Sequence, residues 1–251
     1  MPPAEHDPAG RQLMLPFPRA FGYDARDFLA AASNREAMAW LEAEWPERRL
    51  AIWGPGGCGK SHLLHMWAER AGSLVLSGGS LTEQVVADLD RLPEQGALAL
   101  DNADAAASET LLLHLLNTAR DRGLRILLSA RTPPSRWPVR LPDLSSRLRA
   151  VTAVEIGPPD DDLLSALLMR LLAERQLSVA PAVQAWLLMR LPRSAAALRQ
   201  AVEQLDRTSL GSGRSITRGF AARILGNETV TDADEDCVAG NHPSSDHLGF
   251  L

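Results

Sequence analysis

The chain is poor in cysteine and in aromatic residues, and it has almost no lysine. Its two cysteines, Cys58 and Cys237, are too few for a disulfide framework, which fits a cytoplasmic setting. No apolar run approaches the roughly 20 residues that a membrane span needs, and the first residues lack the order of a secretion signal. A net charge of −5 argues against broad, nonspecific nucleic-acid binding. These absences favour a soluble globular protein, as does a content of 45% hydrophobic residues.

Basic charge is carried almost entirely by arginine, since the 26 basic residues include a single lysine, Lys60. That lysine lies in a segment that matches the phosphate-binding loop G-x-x-x-x-G-K-[ST] without a gap. The matching residues are Gly54, Pro55, Gly56, Gly57, Cys58, Gly59, Lys60 and Ser61. The only lysine of the chain therefore stands at the one position where the motif demands it.

The flanks of this segment agree with a phosphate-binding loop. Residues 50–53 before it are typical of a strand, and residues 62–70 after it of a helix. In this arrangement backbone N–H groups and the helix N-terminus, with His62 in its first turn, hold phosphate oxygens. Lys60 would reach the β and γ phosphates, and Ser61 would ligate Mg²⁺. We therefore expect ADP or ATP, with Mg²⁺, as the bound cofactor.

A second motif follows about 40 residues downstream. Residues 97–100 are apolar and end in Asp101 and Asn102, the Walker B arrangement, in which Asp101 binds Mg²⁺ directly or through water. Many ATPases keep a second acid in the place of Asn102, but an amide cannot act as a base. Asp104 is two residues further on. Slow intrinsic hydrolysis is therefore expected.

Hydrophobic periodicity predicts two folded domains between two polar ends. Nearly continuous apolar runs are typical of strands buried on both faces of a parallel sheet, and helices would cover both faces of an α/β domain over residues 21–157. A helical domain is predicted over 158–225, with Ser194 and Thr217 as helix caps. The leader (1–20) and the acidic tail (226–251) are expected to be disordered. The predicted strands are 50–53, 73–76, 97–100, 125–130 and 151–156; the predicted helices are 33–45, 160–175, 181–190, 194–210 and 217–225.

Two further segments leave alternatives open when judged on their residues alone. Arg147, within residues 141–148, could be an arginine finger that reaches a neighbouring subunit's γ-phosphate, or a surface arginine. In the leader, an apolar cluster could fold back onto the globular domain or insert into a partner's hydrophobic groove. This cluster runs through Gln12, Leu13, Met14, Leu15, Pro16 and Phe17.

Taken together, these motifs resemble the DnaA family of AAA+ ATPases, and within it the short Hda-type regulators. The resemblance covers about residues 10–225 and rests on residues 53–65, the pair Asp101 and Asn102, residues 141–148 and residues 204–207. It implies an AAA+ P-loop NTPase with a five-stranded parallel sheet and a small helical lid. It also implies that Arg147 is a finger acting in trans on DnaA. Gln12, Leu13, Leu15, Pro16 and Phe17 would bind the sliding clamp, the β subunit of DNA polymerase III.

Two positions depart from the family pattern. In the sensor 1 segment Ser129 keeps a polar side chain, but Arg131 stands where the family has Asp. The sensor 2 arginine is expected at the position of Ala196, and Arg193, nearly one helical turn earlier, is a candidate substitute. These departures bear on hydrolysis and nucleotide preference rather than on binding.

An acidic stretch of about 25 residues follows the predicted lid, where an initiator would carry a helix-turn-helix domain. We therefore expect a cytoplasmic, replisome-associated regulator with no sequence-specific DNA binding and no membrane contact. A homo-oligomeric state is left open. Docked on the clamp, it would stimulate ATP hydrolysis by DnaA and so limit initiation. A self-hydrolysing remodeller such as a helicase loader, or a clamp adaptor that uses nucleotide only structurally, are the main alternatives. A small-molecule kinase is a distant one.

Overall fold

The computed structural model describes Tyr23, residues 28–212 and residues 216–226, with the backbone alone at residues 90 and 210–212. The leader motif at residues 12–17 and the acidic tail beyond residue 226 lie outside the described residues. Within the described ranges, no helix is long and apolar enough to cross a membrane.

Five parallel strands form one sheet, which confirms the predicted parallel sheet. The strands are β1 (Arg49–Trp53), β2 (Leu74–Ser77), β3 (Ala97–Asp101), β4 (Arg125–Ala130) and β5 (Thr152–Glu155). Their order in the sheet is β2-β3-β4-β1-β5, and their bounds differ from the predicted ones by no more than one residue. The middle strands are buried on both faces, so their apolar runs are continuous rather than alternating.

Helices cover both faces of the sheet and bury alternate residues of the same strands. The helices of this domain are α1 (Arg35–Glu42), α2 (Lys60–Ala71), α3 (Glu83–Asp88), α4 (Glu109–Asp121) and α5 (Pro142–Arg149). Leu50 and Ile52 of β1 pack in the core beneath α1 and α2, whereas Ala51 faces the core of the opposite side.

The predicted first helix was too long at its carboxyl end. It ends at Glu42 rather than near Trp45, because Ala43 already has extended backbone angles, with φ −88° and ψ 169°. Asn34 stands at the N-cap position, but its side chain accepts from the Ala31 N–H and donates to the Leu29 carbonyl. It therefore fixes the preceding turn instead of capping the helix.

The second domain is helical and has its own apolar core, as the sequence predicted. Ser194 accepts a hydrogen bond from the Ala197 N–H, and Thr217 accepts one from the Phe220 N–H, each at 3.2 Å. Both residues are therefore the helix caps that were predicted. The four helices are α6 (Asp161–Glu174), α7 (Pro181–Arg190), α8 (Ala195–Ser212) and α9 (Arg218–Ile224).

Because all five strands are parallel, their carboxyl ends lie along one edge of the sheet and their amino ends along the other. We call the first the carboxyl edge, marked by Trp53, Asp101 and Ala130, and the second the amino edge, marked by Arg49 and Arg125. β4 lies between β1 and β3, so the end of β4 separates the end of the phosphate-loop strand from that of the Walker B strand.

Candidate nucleotide-binding site

The glycine-rich loop leaves the carboxyl edge after β1 and turns directly into α2. Gly54 must lack a side chain, because a Cβ there would lie 2.2 Å from the carbonyl oxygen of Ile156. Gly57 has a φ of +77°, and a Cβ there would lie 2.5 Å from Cβ of Ser194 in the lid. At Gly56, by contrast, a Cβ would meet nothing within 4 Å. Gly54 and Gly57 are therefore required by close packing, the first against the residue that follows β5 and the second against the lid.

Lys60, the first residue of α2, is only 7% exposed and its ammonium lies inside the curve of the loop. Its Nζ donates hydrogen bonds to the carbonyl oxygens of Gly54 at 2.9 Å and Pro55 at 2.8 Å. The N–H groups in the first turn of α2 have no acceptor within the helix. A buried ammonium group beside N–H donors that lack an acceptor is suited to binding the phosphate groups of a nucleotide.

Three oxygen-bearing side chains meet at the carboxyl edge. Ser61 Oγ donates to Asp101 Oδ1 at 3.1 Å, and Ser129 Oγ is hydrogen-bonded to the same carboxylate oxygen. Ser129 ends up beside Asp101 because β4 is the neighbour of β3. The sequence predictions for Ser61, Asp101 and Ser129 thus fall on one hydrogen-bonded cluster.

This cluster has the chemistry of a magnesium site completed by a ligand. Among the described residues no group of three His, Cys, Asp or Glu side chains gathers to hold a metal by itself. Asp101 and Ser61 would therefore supply one carboxylate and one hydroxyl. Mg²⁺ commonly binds in this way, with phosphate oxygens and water filling its remaining positions.

The residues after Asp101 present no second carboxylate to this cluster. Asn102 has left-handed backbone angles, φ 49° and ψ 51°, and its N–H donates to Ser129 Oγ at 2.9 Å. The carboxylate of Asp104 accepts the N–H of Arg131 at 2.8 Å, which directs it to the segment after β4. The acid missing from the sequence at position 102 is therefore not replaced by Asp104.

A pocket beside the loop is walled by the segment before α1 and by the lid. His62, predicted as part of the site, lines this pocket and makes an edge-to-face contact with Phe28, with ring centroids 5.3 Å apart. Cys58 also lines it and lies 3.8 Å from Lys60 Nζ. The wall is largely apolar and contains Phe28, Leu29, Leu163, Leu164, Leu167 and Ala195. Such a wall fits the flat, apolar faces of a nucleobase.

The arginine that lines this pocket from the lid is Arg199 of α8. Arg193, the predicted substitute for the sensor 2 arginine, instead forms an ion pair with Asp161, with Nη1 2.6 Å from Oδ1. No acidic side chain of the described residues pairs with Arg199. Sequence reasoning missed Arg199, although it lies three residues beyond Ala196 and so shares a helix face with it.

Arg147 lies far from this site, at the amino edge. It belongs to the last turn of α5, and β5 then begins at Thr152, which pairs with Leu50 near the start of β1. Its charge acts on the guanidinium of Arg49, the buried first residue of β1. Burial lowers the pKa of Arg49, the cations of Arg147 and Arg120 lower it further, and Glu47 opposes the shift. Arg147 itself is half-buried and pairs with no acidic side chain of the described residues.

Comparisons with known proteins agree with this fold. Residues 160–225 match the family model described as the lid domain of Hda. Domain III of the replication initiation protein DnaA from Thermotoga maritima has a TM-score of 0.68 and 18% identity, covering 82% of this chain and 96% of that chain. AMPPCP-bound DnaA from Aquifex aeolicus has a TM-score of 0.61 and 20% identity, covering 76% and 67%. A RuvB variant from Thermotoga maritima has a TM-score of 0.64 and 18% identity, covering 82% and 72%.

The parallel sheet, the phosphate-binding loop and the helical lid give this chain the nucleotide-binding fold of AAA+ proteins. Residues 160–225 are similar to the lid domain of Hda, and the fold as a whole is similar to domain III of DnaA.

Proposed function

We propose that this chain is a nucleotide-bound negative regulator of replication initiation, which stimulates ATP hydrolysis by DnaA in trans. The observation that carries the proposal is the position of Arg147 at the amino edge. The Hda-type lid and the DnaA-like fold support the choice of target.

Arg147 is poorly placed to serve the nucleotide of its own chain. β1 has five residues between the amino edge and the phosphate-binding loop, a length of about 17 Å at the usual rise per residue. In this proposal the guanidinium of Arg147, which lies near the opposite end of the strand, acts on the nucleotide of a neighbouring molecule instead. An arginine supplied in trans raises phosphoryl-transfer rates by about 10³–10⁵ in well-studied systems.

The chain's own nucleotide has a mainly structural role in this proposal. Lys60, Ser61 and Asp101 would hold ADP or ATP with Mg²⁺, and Arg199, which lines the pocket from the lid, would contact the same ligand. Asn102 cannot polarise an attacking water, and Asp104 is engaged by the Arg131 N–H. Intrinsic hydrolysis is therefore slow, and the bound nucleotide fixes the lid against the sheet.

The leader supplies the docking step. These residues lie outside the described part of the chain, and we infer from the family resemblance that they bind the sliding clamp of DNA polymerase: Gln12, Leu13, Leu15, Pro16 and Phe17. Tethering to a clamp on newly replicated DNA would raise the local concentration of the regulator around DnaA. The regulator would then act in the cytoplasm, where the replisome is.

The experiment is an ATPase assay with purified DnaA and clamp loaded on DNA, with and without this chain. We expect hydrolysis by DnaA to accelerate only when both the chain and the loaded clamp are present. Unchanged hydrolysis would contradict the proposal. Turnover by the isolated chain, with and without single-stranded DNA, tests the alternative of a self-hydrolysing remodeller, which predicts rapid turnover without DnaA.

A further inference from the structure

Arg49, the first residue of β1, is a buried arginine at the amino edge whose charge the nucleotide site does not use. Its side chain is 4% exposed, and its Nη2 lies 3.1 Å from Oε2 of Glu47, which is largely exposed. The other terminal nitrogen, Nη1, is buried and has no hydrogen-bond acceptor among the described residues. Buried polar groups are normally hydrogen-bonded in full. Arg49 therefore keeps a buried charge that Glu47 compensates only in part.

The alternation of side chains along the strands shows which face of the sheet Arg49 lies on. Ala51, two residues further along β1, packs in the core formed with α4 and α5, so Arg49 lies on that same face. Arg125, the first residue of the neighbouring strand β4, lies on the opposite face. Its guanidinium is 4.4 Å from the ring centroid of Trp45, which belongs to the core beneath α1 and α2.

The ends of α4 and α5 lie at the amino edge on the face of Arg49. A helix that connects two parallel strands runs back against the strand direction, so its last turn returns to the amino edge. These last turns carry Arg120 in α4 and Arg147 in α5. Three arginines therefore meet at one place, one from the sheet and two from the helices that cover it.

The three cations are close enough to repel one another. Burial lowers the pKa of Arg49, Glu47 opposes this shift, and the charges of Arg147 and Arg120 lower the pKa further. Charges with little water between them interact more strongly than charges on an open surface. The repulsion that acts on Arg49 acts equally on Arg147.

Of these three arginines, Arg147 has the least to hold it. Arg120 pairs with Asp121, with Nη2 2.8 Å from Oδ1, and Arg49 is fixed by burial and by Glu47. Arg147 is half-buried and pairs with no acidic side chain of the described residues. The guanidinium of Arg147 is therefore the group that moves in response to the repulsion.

We propose that Arg49 is a positioning residue, which holds the guanidinium of Arg147 away from the sheet and so presents it to a neighbouring molecule. Without the buried charge, Arg147 would be drawn back to the carbonyl groups at the end of its own helix, which attract cations. Arg49 does not touch the partner, because its side chain is buried. This inference rests on the proposed role of Arg147 as an arginine finger.

The first experiment measures the charge interaction in the isolated chain, without DnaA. Arg147→Cys places a thiol at the position of the finger, and the rate of its alkylation against pH gives the thiol pKa, with mass spectrometry to identify the alkylated residue. A nearby cation lowers the pKa of a thiol. Adding Arg49→Met to this variant should raise that pKa by about one pH unit, the lower end of the effect of a nearby opposite charge.

Glu47→Gln keeps this experiment valid if Arg49→Met does not fold. It removes the counter-ion of Arg49 from an exposed position, so it should lower the thiol pKa instead of raising it. Arg125→Met is the matched control, because it removes a charge from the same edge but from the opposite face, and it should leave the thiol pKa unchanged. A thiol pKa that responds to neither Arg49→Met nor Glu47→Gln would overturn the proposal. An equal response to Arg125→Met would also overturn it.

The second experiment measures hydrolysis by DnaA with loaded clamp at increasing concentrations of this chain. Arg49→Met should lower the maximal rate about tenfold, because a misplaced catalytic group costs up to about 100-fold. The half-saturating concentration of the chain should not change, since a buried residue makes no contact with the partner. Arg49→Lys keeps the positive charge and should restore the maximal rate. Equal losses in Arg49→Met and Arg49→Lys would contradict positioning by charge.

The two experiments separate this inference from the proposed function. If wild type does not stimulate DnaA while the thiol pKa responds as expected, the proposed function fails and the charge interaction stands. If wild type and Arg49→Met stimulate DnaA equally, the proposed function stands and the positioning role of Arg49 is overturned.

Discussion

The two edges of the sheet hold their cations in opposite ways. At the carboxyl edge Lys60 is 7% exposed and donates to two loop carbonyls, beside the cluster of Ser61, Asp101 and Ser129. At the amino edge Arg147 is half-buried and faces the like charge of Arg49, with no acidic partner among the described residues. The ammonium group of Lys60 is held in place by the loop, as expected for a group that binds a ligand of its own chain. Arg147 has no such partner, as expected for a group that binds an anion of another molecule.

The largest effect is expected from removing the charge of Arg147 at the amino edge. Arg147→Ala should reduce stimulation of DnaA hydrolysis by about 10³-fold or more, because the charge that stabilises the transferring phosphoryl group is lost. ADP affinity of the chain should not change, since the carboxyl edge is untouched. Stimulation is measured by phosphate release, and ADP binding by titration calorimetry.

Arg149→Ala is the matched control, because Arg149 lies two residues further along α5. This variant should stimulate DnaA as wild type does. An equal loss of stimulation in the two variants would show that the total positive charge at the amino edge matters, and would contradict a specific role of Arg147 as an arginine finger.

The next prediction removes the charge of Lys60 at the carboxyl edge and leaves the amino edge unchanged. Lys60→Ala should weaken ADP binding about 100-fold, because hydrogen bonds to a charged group contribute about 1.5–3 kcal/mol each. Titration calorimetry gives the affinity. Arg70→Ala removes a positive charge from the last turn of the same helix and should bind ADP as wild type does. An unchanged ADP affinity in Lys60→Ala would contradict the assignment of Lys60 and the glycine-rich loop as the phosphate-binding site.

A smaller effect separates the two lid arginines. Arg199→Ala should weaken ADP binding about tenfold, the size expected for one charge-assisted hydrogen bond at the pocket wall. Arg193→Ala should have no such effect, because its guanidinium is held by Asp161. The same titration compares the two variants. A larger loss in Arg193→Ala would support the sequence prediction that Arg193 substitutes for the sensor 2 residue, and would contradict the role of Arg199.

The smallest effect is on the stability of the fold near α5, the helix that carries Arg147. The carboxylate of Glu109 accepts the N–H groups of Arg140 and Leu141 at the start of α5, and these backbone hydrogen bonds lower its pKa. A lowered pKa in the folded state means that the stabilisation is present above the unfolded pKa of about 4.3 and is lost as pH falls through the folded value. Urea unfolding of wild type and Glu109→Gln should therefore differ at pH 7 and converge at low pH. A difference that does not depend on pH would contradict this account.

The sequence alone predicted the elements and the phosphate loop because these depend on local patterns. Continuous apolar runs marked the strands, and the single lysine marked the loop. Strand order is not local, and it is what brings Ser129 of β4 beside Asp101 of β3. The packing of the lid on the loop is equally non-local, so Arg199 was overlooked while Arg193, nearer the expected register, was favoured.

The most direct test of the central claim follows which molecule's ATP is hydrolysed. In single-turnover assays with loaded clamp, labelled ATP is placed first on DnaA and then on this chain, with unlabelled nucleotide on the other partner. The account predicts rapid loss of the label from DnaA, dependent on Arg147, and slow loss from this chain. Rapid loss from this chain, or loss from DnaA that is equal in Arg147→Ala and wild type, would contradict it.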